Sequence, residues 1–298
     1  MANYETPLLV TGGGGHLARL ILEELLHRGV VPGEIITTTR EPARLKNLSD
    51  RGISVRYGDF DHPASLTEAF AGARRVLIVS TTPEAPYVHG KRFRQQRAGI
   101  EAAVAAGARH ILYTSAPNPE PGTPAFWKQD HYDTEQVLKA CGTTWTVLRH
   151  WEWPDWHLAH TWLPAIQRGA YVTATGQGRV AHITRIDTAR ADAGALLSDE
   201  VSNRTVDITG PEALGADEIL GRLSSHLGRN VRVVHVEPEE LGEYLLRTGV
   251  DANLVPVFVA YARAVRLGLY DGHSPEVAAL AGGRLVRLHE FFDLAVPG

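Results

Sequence analysis

Leu8-Leu9-Val10-Thr11-Gly12-Gly13-Gly14-Gly15-His16-Leu17-Ala18 is an apolar run that breaks into four consecutive glycines and then opens a helical stretch. A strand, a glycine turn and a helix in that order leave few folds open. Spaced as Gly12-x-x-Gly15-x-x-Ala18, the glycines permit a tight turn and close approach of a ligand, and the alanine lets the helix pack near the strand. The first N–H groups of such a helix lack partners within it and point at whatever anion lies ahead. The expected fold is α/β, a Rossmann-type doubly wound parallel sheet with a smaller C-terminal substrate lobe. A dinucleotide's pyrophosphate is expected at Thr11, Gly12, Gly15, His16 and Leu17.

The first half continues the alternation. Runs rich in β-branched residues at 8–10, 35–39, 53–57, 76–80, 111–114 and 145–148 read as strands. Apolar residues at helical spacing fill 17–27, 64–70, 93–106 and 131–140. Val76-Leu77-Ile78-Val79 is apolar without a break, as a strand covered on both faces requires. Gly72 and Gly107 stand just past a helix and before a strand, where a C′ glycine belongs. After Trp151 the regularity loosens, with strands at 206–209 and 231–236, a helix near 217–227 and further helices beyond. The spacing predicts an NADP-binding Rossmann domain over 1–150, rejoined by about 179–210, and a substrate-binding lobe made of 151–178 and 211–298.

The choice between the two nicotinamide dinucleotides is made where the second strand ends. There Ile35-Ile36-Thr37-Thr38-Thr39-Arg40 offers no carboxylate to grip a ribose diol. Arg40 suits a 2′-phosphate and Arg44 lies one turn on, so NADPH is the expected cofactor. Asp59 and Phe60 follow the third strand, placed to hold the adenine, although Asp59 serves equally as a turn cap. Ser80 and Thr81 end the fourth strand, and Thr114 and Ser115 the fifth, at the crevice where cofactor and substrate should meet.

Composition narrows the partners. The chain has 298 residues, 44% hydrophobic and 21% charged, and its net charge of -4 gives no electrostatic case for nucleic acid or an anionic membrane. No run nears the roughly 18 apolar residues that cross a bilayer. Residues 1–7 lack the basic start and apolar core of a secretory signal. The single cysteine, Cys141, precludes an internal disulfide, and a cytoplasmic location is expected. His157-x-x-His160 has the spacing of two metal ligands on a helix, but no third ligand anchors it and no metal is expected.

Taken in order, Val10-Thr11-Gly12-x-x-Gly15-x-Leu17-Ala18, Thr39-Arg40, Gly58-Asp59-Phe60 and Tyr113-Thr114-Ser115 form a recognisable series. It continues with His131-x-x-Thr134-Glu135, Trp145-Thr146-Val147-Leu148-Arg149, Gly178-Arg179-Val180-Ala181, Thr184-Arg185 and Thr209-Gly210-Pro211, and ends with Gly282-Gly283-Arg284 and Phe291. The chain resembles the NmrA-like atypical short-chain dehydrogenase/reductases, and among them the bacterial NADPH:quinone oxidoreductases and triphenylmethane reductase. The resemblance implies an active site between the Rossmann domain and a small lobe, and hydride transfer from NADPH to a flat, conjugated acceptor. The turn departs from the family's pattern by carrying Gly13-Gly14 and His16 where Ala-Thr and a varied residue are usual.

Short-chain dehydrogenases use a Tyr-x-x-x-Lys pair to protonate substrate oxygen. Tyr87-x-x-x-Lys91 matches the string but follows the fourth strand, whereas the family's acid/base follows the fifth. Lys128, His131 and Tyr132 stand there instead and are the catalytic candidates. By resemblance His131 occupies the place where isoflavone-reductase-like proteins carry a catalytic lysine. It is read as a proton donor, as a residue that positions the cofactor, or as a structural histidine. His150, Trp151, Trp153 and Trp156 directly follow the sixth strand and suit the wall of a site for planar ligands; packing of the lobe or a homodimer contact is their rival use.

These features predict an NADPH-dependent oxidoreductase that passes hydride to a quinone or a similar conjugated aromatic or carbonyl acceptor. Quinones fit best, because the hydroquinone anion is stable and the missing Tyr-Lys pair then matters little. The alternatives are a catalytically silent NADP-sensing regulator and a ketone reductase or isomerase of secondary metabolism.

Overall fold

The computed structural model describes residues 5–81 and 89–296. Its strands are β1 (Leu8–Val10), β2 (Ile35–Thr39), β3 (Ser54–Tyr57), β4 (Arg75–Ile78), β5 (His110–Ser115), β6 (Thr144–His150), β7 (Ala170–Thr173), β8 (Arg179–Val180), β9 (Arg204–Ile208), β10 (Leu214–Gly215) and β11 (Arg232–His235). Seven of them form one parallel sheet in the order β3-β2-β1-β4-β5-β6-β9. The order reverses at β1, so a crevice opens past the carboxyl ends of β1 and β4.

Alternation along the strands explains why both faces are covered. Leu8 and Val10 point to one side with Leu77, Leu112 and Leu148; Leu9 points to the other with Val76, Ile78, Ile111, Tyr113 and Val147. Helices α1 (His16–His27), α2 (Lys46–Ser49), α3 (Ala64–Ala69), α4 (Lys91–Ala105) and α5 (Gln129–Lys139) pack on the two faces; α6 (Pro154–His157) and α7 (Leu163–Arg168) follow β6 outside them, and α8 (Arg185–Leu197) returns to the sheet. α1 places Ile21, Leu22 and Leu25 in one layer with Ala189, Ala193 and Leu196 of α8. Each fully buried leucine or isoleucine there stabilises the layer by about 1.5–3 kcal/mol.

Several strand ends differ from expectation, and at two of them the partners of the backbone show why. β4 stops at Ile78 because the next amides turn to side chains: Val79 N donates to Thr11 Oγ1 (2.9 Å) and Ser80 N to Thr114 Oγ1 (2.8 Å). β6 runs on to His150 because β9 pairs with it through His150 and Ile208.

Apart from α8 and β9, which return to the main sheet, the chain beyond β6 builds a second layer. β7 pairs in parallel with β11, and β8 pairs antiparallel with β10. Leu158, Trp162, Ile166, Leu220, Leu223 and Phe292 share an apolar cluster between these pieces and the C-terminal helix Leu288–Ala295. Among the described residues no helix is long and apolar enough to cross a membrane.

Candidate cofactor site

A cavity of about 970 Å³ runs along the carboxyl ends of the central strands, lined from the glycine turn through Thr39, Asp59, Ser80 and Thr114 to His150 and Trp153. Arg19, Arg40, Arg44, Lys91, Arg92 and Arg185 line it against Glu41, Asp59 and Asp61. A chain of net charge -4 has thus gathered cations at one cleft, the arrangement a multiply charged anion requires.

The turn is built glycine by glycine. Gly12 has φ +70, the left-handed region that side chains disfavour. A Cβ on Gly13 would overlap Thr37 Oγ1 of β2, and Gly13 N donates to Thr38 O (2.9 Å). Gly13, a departure from the family pattern, is therefore fitted to the threonines of β2 rather than surplus. Gly14 is exposed, its missing Cβ meeting only Thr39 Oγ1 at 3.5 Å. Gly15 caps α1 with extended backbone and no side-chain acceptor, and the first turn holds no carboxylate. Gly15, His16 and Leu17 line the cavity, so the helix's first N–H groups face it.

At the end of β2, Arg40 is exposed and makes no hydrogen bond or ion pair among the described residues. Arg44 is occupied by Glu41, 2.7 Å away. Asp59 lines the cavity, yet Oδ1 accepts from Asp61 N (3.0 Å) and Oδ2 lies 2.9 Å from His62 Nδ1. Burial opposes its ionisation, but His62, the Asp61 amide and Arg40 outweigh that and hold the carboxyl below its usual range. The carboxylate caps the turn and faces Arg40 while still lining the cavity. Phe60 lines the cavity with its ring edge against Gly99 of α4.

Ser80, Thr81 and Thr114 reach the cavity floor. Thr81 Oγ1 and Arg185 Nε are buried without a partner among the described residues, which fits a ligand with polar atoms at those positions. Two expected contacts are corrected. Thr11 is fully buried and its hydroxyl ties β1 to the chain leaving β4, away from the cavity. Ser115 is also buried, its hydroxyl donating to Glu135 Oε1 (2.7 Å).

None of the three acid/base candidates lines this cavity. Lys128 is buried, donates to Pro117 O (2.6 Å) and lies 4.3 Å over the Tyr270 ring; burial lowers its pKa to about 8. Tyr132 is half-buried outside the lining. His131 is buried between two partners: Arg92 Nη1 donates to Nε2 (2.6 Å), leaving Nδ1–H for the Tyr113 hydroxyl (2.6 Å). Burial, followed by Arg92, Lys128 and His150, pushes the ring far below its usual pKa. Both nitrogens are thus engaged by protein side chains, which fits the positioning and structural readings of this residue better than the donor reading. Tyr87 of the Tyr-x-x-x-Lys string lies outside the described residues; Lys91 lines the cavity.

The aromatic loop divides. His150 and Trp153 line the cavity, with Trp153 Nε1 donating to Thr188 Oγ1 (3.1 Å). Trp151 does not; it is buried against Tyr270 and Gly272, and its Nε1 donates to Asp207 Oδ1 (3.1 Å). Trp156 sits on the surface beside His160 and Phe258. The structure also brings in Arg185, to which the sequence pattern attached no role. Its guanidinium stacks 4.5 Å over Trp153, and Nη1 donates to His16 Nδ1 (2.7 Å) across the cavity mouth. Its signal was Thr184, whose hydroxyl accepts from Asp187 N and so caps the helix that Arg185 begins.

Residues 12–199 match the family described as NAD(P)H-binding. The chain is 28% identical to quinone oxidoreductase 2 of Escherichia coli over 95% of its own length and 96% of that protein. The solved NADPH-dependent quinone oxidoreductase of Escherichia coli, complexed with NADPH, superposes with a TM-score of 0.88 at 26% identity, covering 96% of this chain and 99% of that one. The Citrobacter triphenylmethane reductase, complexed with NADP(H), gives 0.86 at 28% identity over 97% and 100%. With a family match across more than half its length, on a Rossmann-ordered sheet, the chain belongs to the NAD(P)H-binding family as an NmrA-like reductase.

Proposed function

We propose that the protein reduces a quinone or a similarly flat, conjugated acceptor at the expense of NADPH. The observation that carries this is the lining of one cavity, which joins the uncapped α1 terminus and Arg40 to His150 and Trp153. The α1 amides would hold the pyrophosphate, Arg40 the 2′-phosphate, and Thr81 and Thr114 polar groups nearer the nicotinamide. NADPH when bound supplies the hydride. The protein's share is to hold the acceptor's plane against Trp153 and exclude competing orientations. The similarity to enzymes named for quinone and triphenylmethane reduction supports an acceptor of this shape.

A panel of quinones, enones, aryl ketones and cationic dyes, followed by the loss of NADPH absorbance, tests this. Quinones or dyes should be turned over fastest. NADPH binding with no oxidation across the whole panel would instead mark a regulator that senses NADP.

His131 is assigned to positioning: its Nε2 holds Arg92, which lines the cavity. His131→Ala should weaken NADPH binding by about tenfold, the cost of one hydrogen bond to a charged group. A titration showing an unaltered Kd would remove that role.

A further inference from the structure

We propose that His150, oriented by Asp192, is the proton donor of the reduction, an assignment that rests on the reductase function above. His150 ends β6 and its ring lines the cavity beside Trp153, the two ring centroids 6.2 Å apart. Asp192, on α8, is wholly buried, and its Oδ1 lies 2.8 Å from His150 Nε2. A carboxylate only accepts, so Nε2 carries the hydrogen and donates it. No described residue takes Nδ1, and the ring's place in the lining leaves that nitrogen toward the cavity. Asp192 Oδ2 has no partner of its own, which makes the imidazole the carboxylate's one described contact through that side chain.

His131 makes the contrast: both of its nitrogens are taken by protein, through Arg92 and Tyr113. His150 has its far nitrogen fixed by a buried carboxylate and its near nitrogen turned to the cleft. That is the geometry in which a carboxylate selects the orientation of an imidazole and balances its charge while the other nitrogen handles the proton.

The step balances. A hydrogen with its two electrons leaves NADPH for the acceptor, giving NADP⁺ and an acceptor with negative charge on oxygen. The Nδ1–H bond of protonated His150 breaks as an O–H bond forms on that oxygen. The ring, now neutral, takes its next proton from water at the cavity mouth. The sum is acceptor, NADPH and one proton giving reduced acceptor and NADP⁺.

The test uses the full chain with the enone or aryl ketone that turns over fastest, because the anion formed there, unlike a hydroquinone's, depends on a proton donor. A wild type that turns over quinones alone overturns the assignment. His150→Ala should lower kcat by about 100-fold, the lower range of general acid contributions. NADPH Kd should stay within about twofold, since the ring is assigned to the acceptor, not the dinucleotide. Free imidazole added to His150→Ala should restore turnover at least about tenfold and leave the wild type unaffected, because it replaces the missing donor. His150→Gln, which keeps a donor for Asp192 but no titrating proton, should lose as much. An unchanged kcat in either variant, or a loss that imidazole leaves untouched, overturns the assignment and makes His150 a shaping residue. A wild type that binds NADPH and reduces no acceptor overturns the reductase function, and this proposal with it.

Discussion

Arg40→Ala should lower kcat/KM for NADPH by about 30- to 100-fold while NADH changes by no more than about twofold, since a hydrogen-bonded charge pair is worth about 1.5–3 kcal/mol. The asymmetry follows from the place of the guanidinium: it stands exposed at the end of β2 without a hydrogen bond or ion pair among the described residues. Removing it leaves no buried group unsatisfied, so the effect should appear in cofactor choice and not in folding. Arg44→Ala is the internal control. That side chain is engaged by Glu41 at the surface, where ion pairs contribute about 0–1 kcal/mol, and its loss should move the ratio far less. Steady-state kinetics with both dinucleotides measure this, and an unaltered NADPH/NADH ratio in Arg40→Ala would reassign the phosphate to another cation.

Glu135→Ala should destabilise the fold by about 3–5 kcal/mol, which is the cost of leaving a buried charge without its counterpart. Glu135 is fully buried, and its two oxygens receive Ser115 Oγ (2.7 Å), Arg149 Nε (3.0 Å) and Nη2 (2.9 Å), and Lys139 Nζ (3.0 Å). This knot joins β5, α5 and β6 directly behind the cavity floor. The variant should melt on the order of 10 °C lower. A double variant, Glu135→Leu with Arg149→Met, should recover part of that loss, because removing both charges leaves neither stranded. Thermal denaturation of the single and double variants distinguishes a buried ionic knot from simple loss of packing. Equal melting temperatures for the two would favour packing.

The parts of this molecule that were legible in the sequence are those set by local physics. The turn at Gly12 follows from a strand, a required left-handed residue and a helix start within eleven positions, and the strands that follow it alternate as buried parallel strands must. The place of Arg40 beside the cavity was legible because the end of β2 is a fixed address in this topology. What stayed hidden depends on partners far along the chain. Trp151 and Trp153 are two residues apart and look interchangeable, yet Trp151 meets Tyr270 and Trp153 meets Arg185. Arg185 itself reaches His16 across 169 positions of sequence, and no periodicity records that contact. β7 was missed because four residues with no strong pattern become a strand only when β11 lies beside them. His131 stayed open to three uses because its type and position allow all of them, and the contacts with Arg92 and Tyr113 that bear on the choice are not visible in the sequence.

One rod of thirteen residues, α8, carries Arg185 over the cavity mouth, Thr188 under the Trp153 indole and Asp192 behind His150. These three lie on successive turns of one helix, so sliding it along α1 displaces the mouth, the aromatic wall and the imidazole together. Altered acceptor preference should therefore be reachable from the α1–α8 seam, through small changes at Ala189 or Ala193, without touching a residue that meets either ligand.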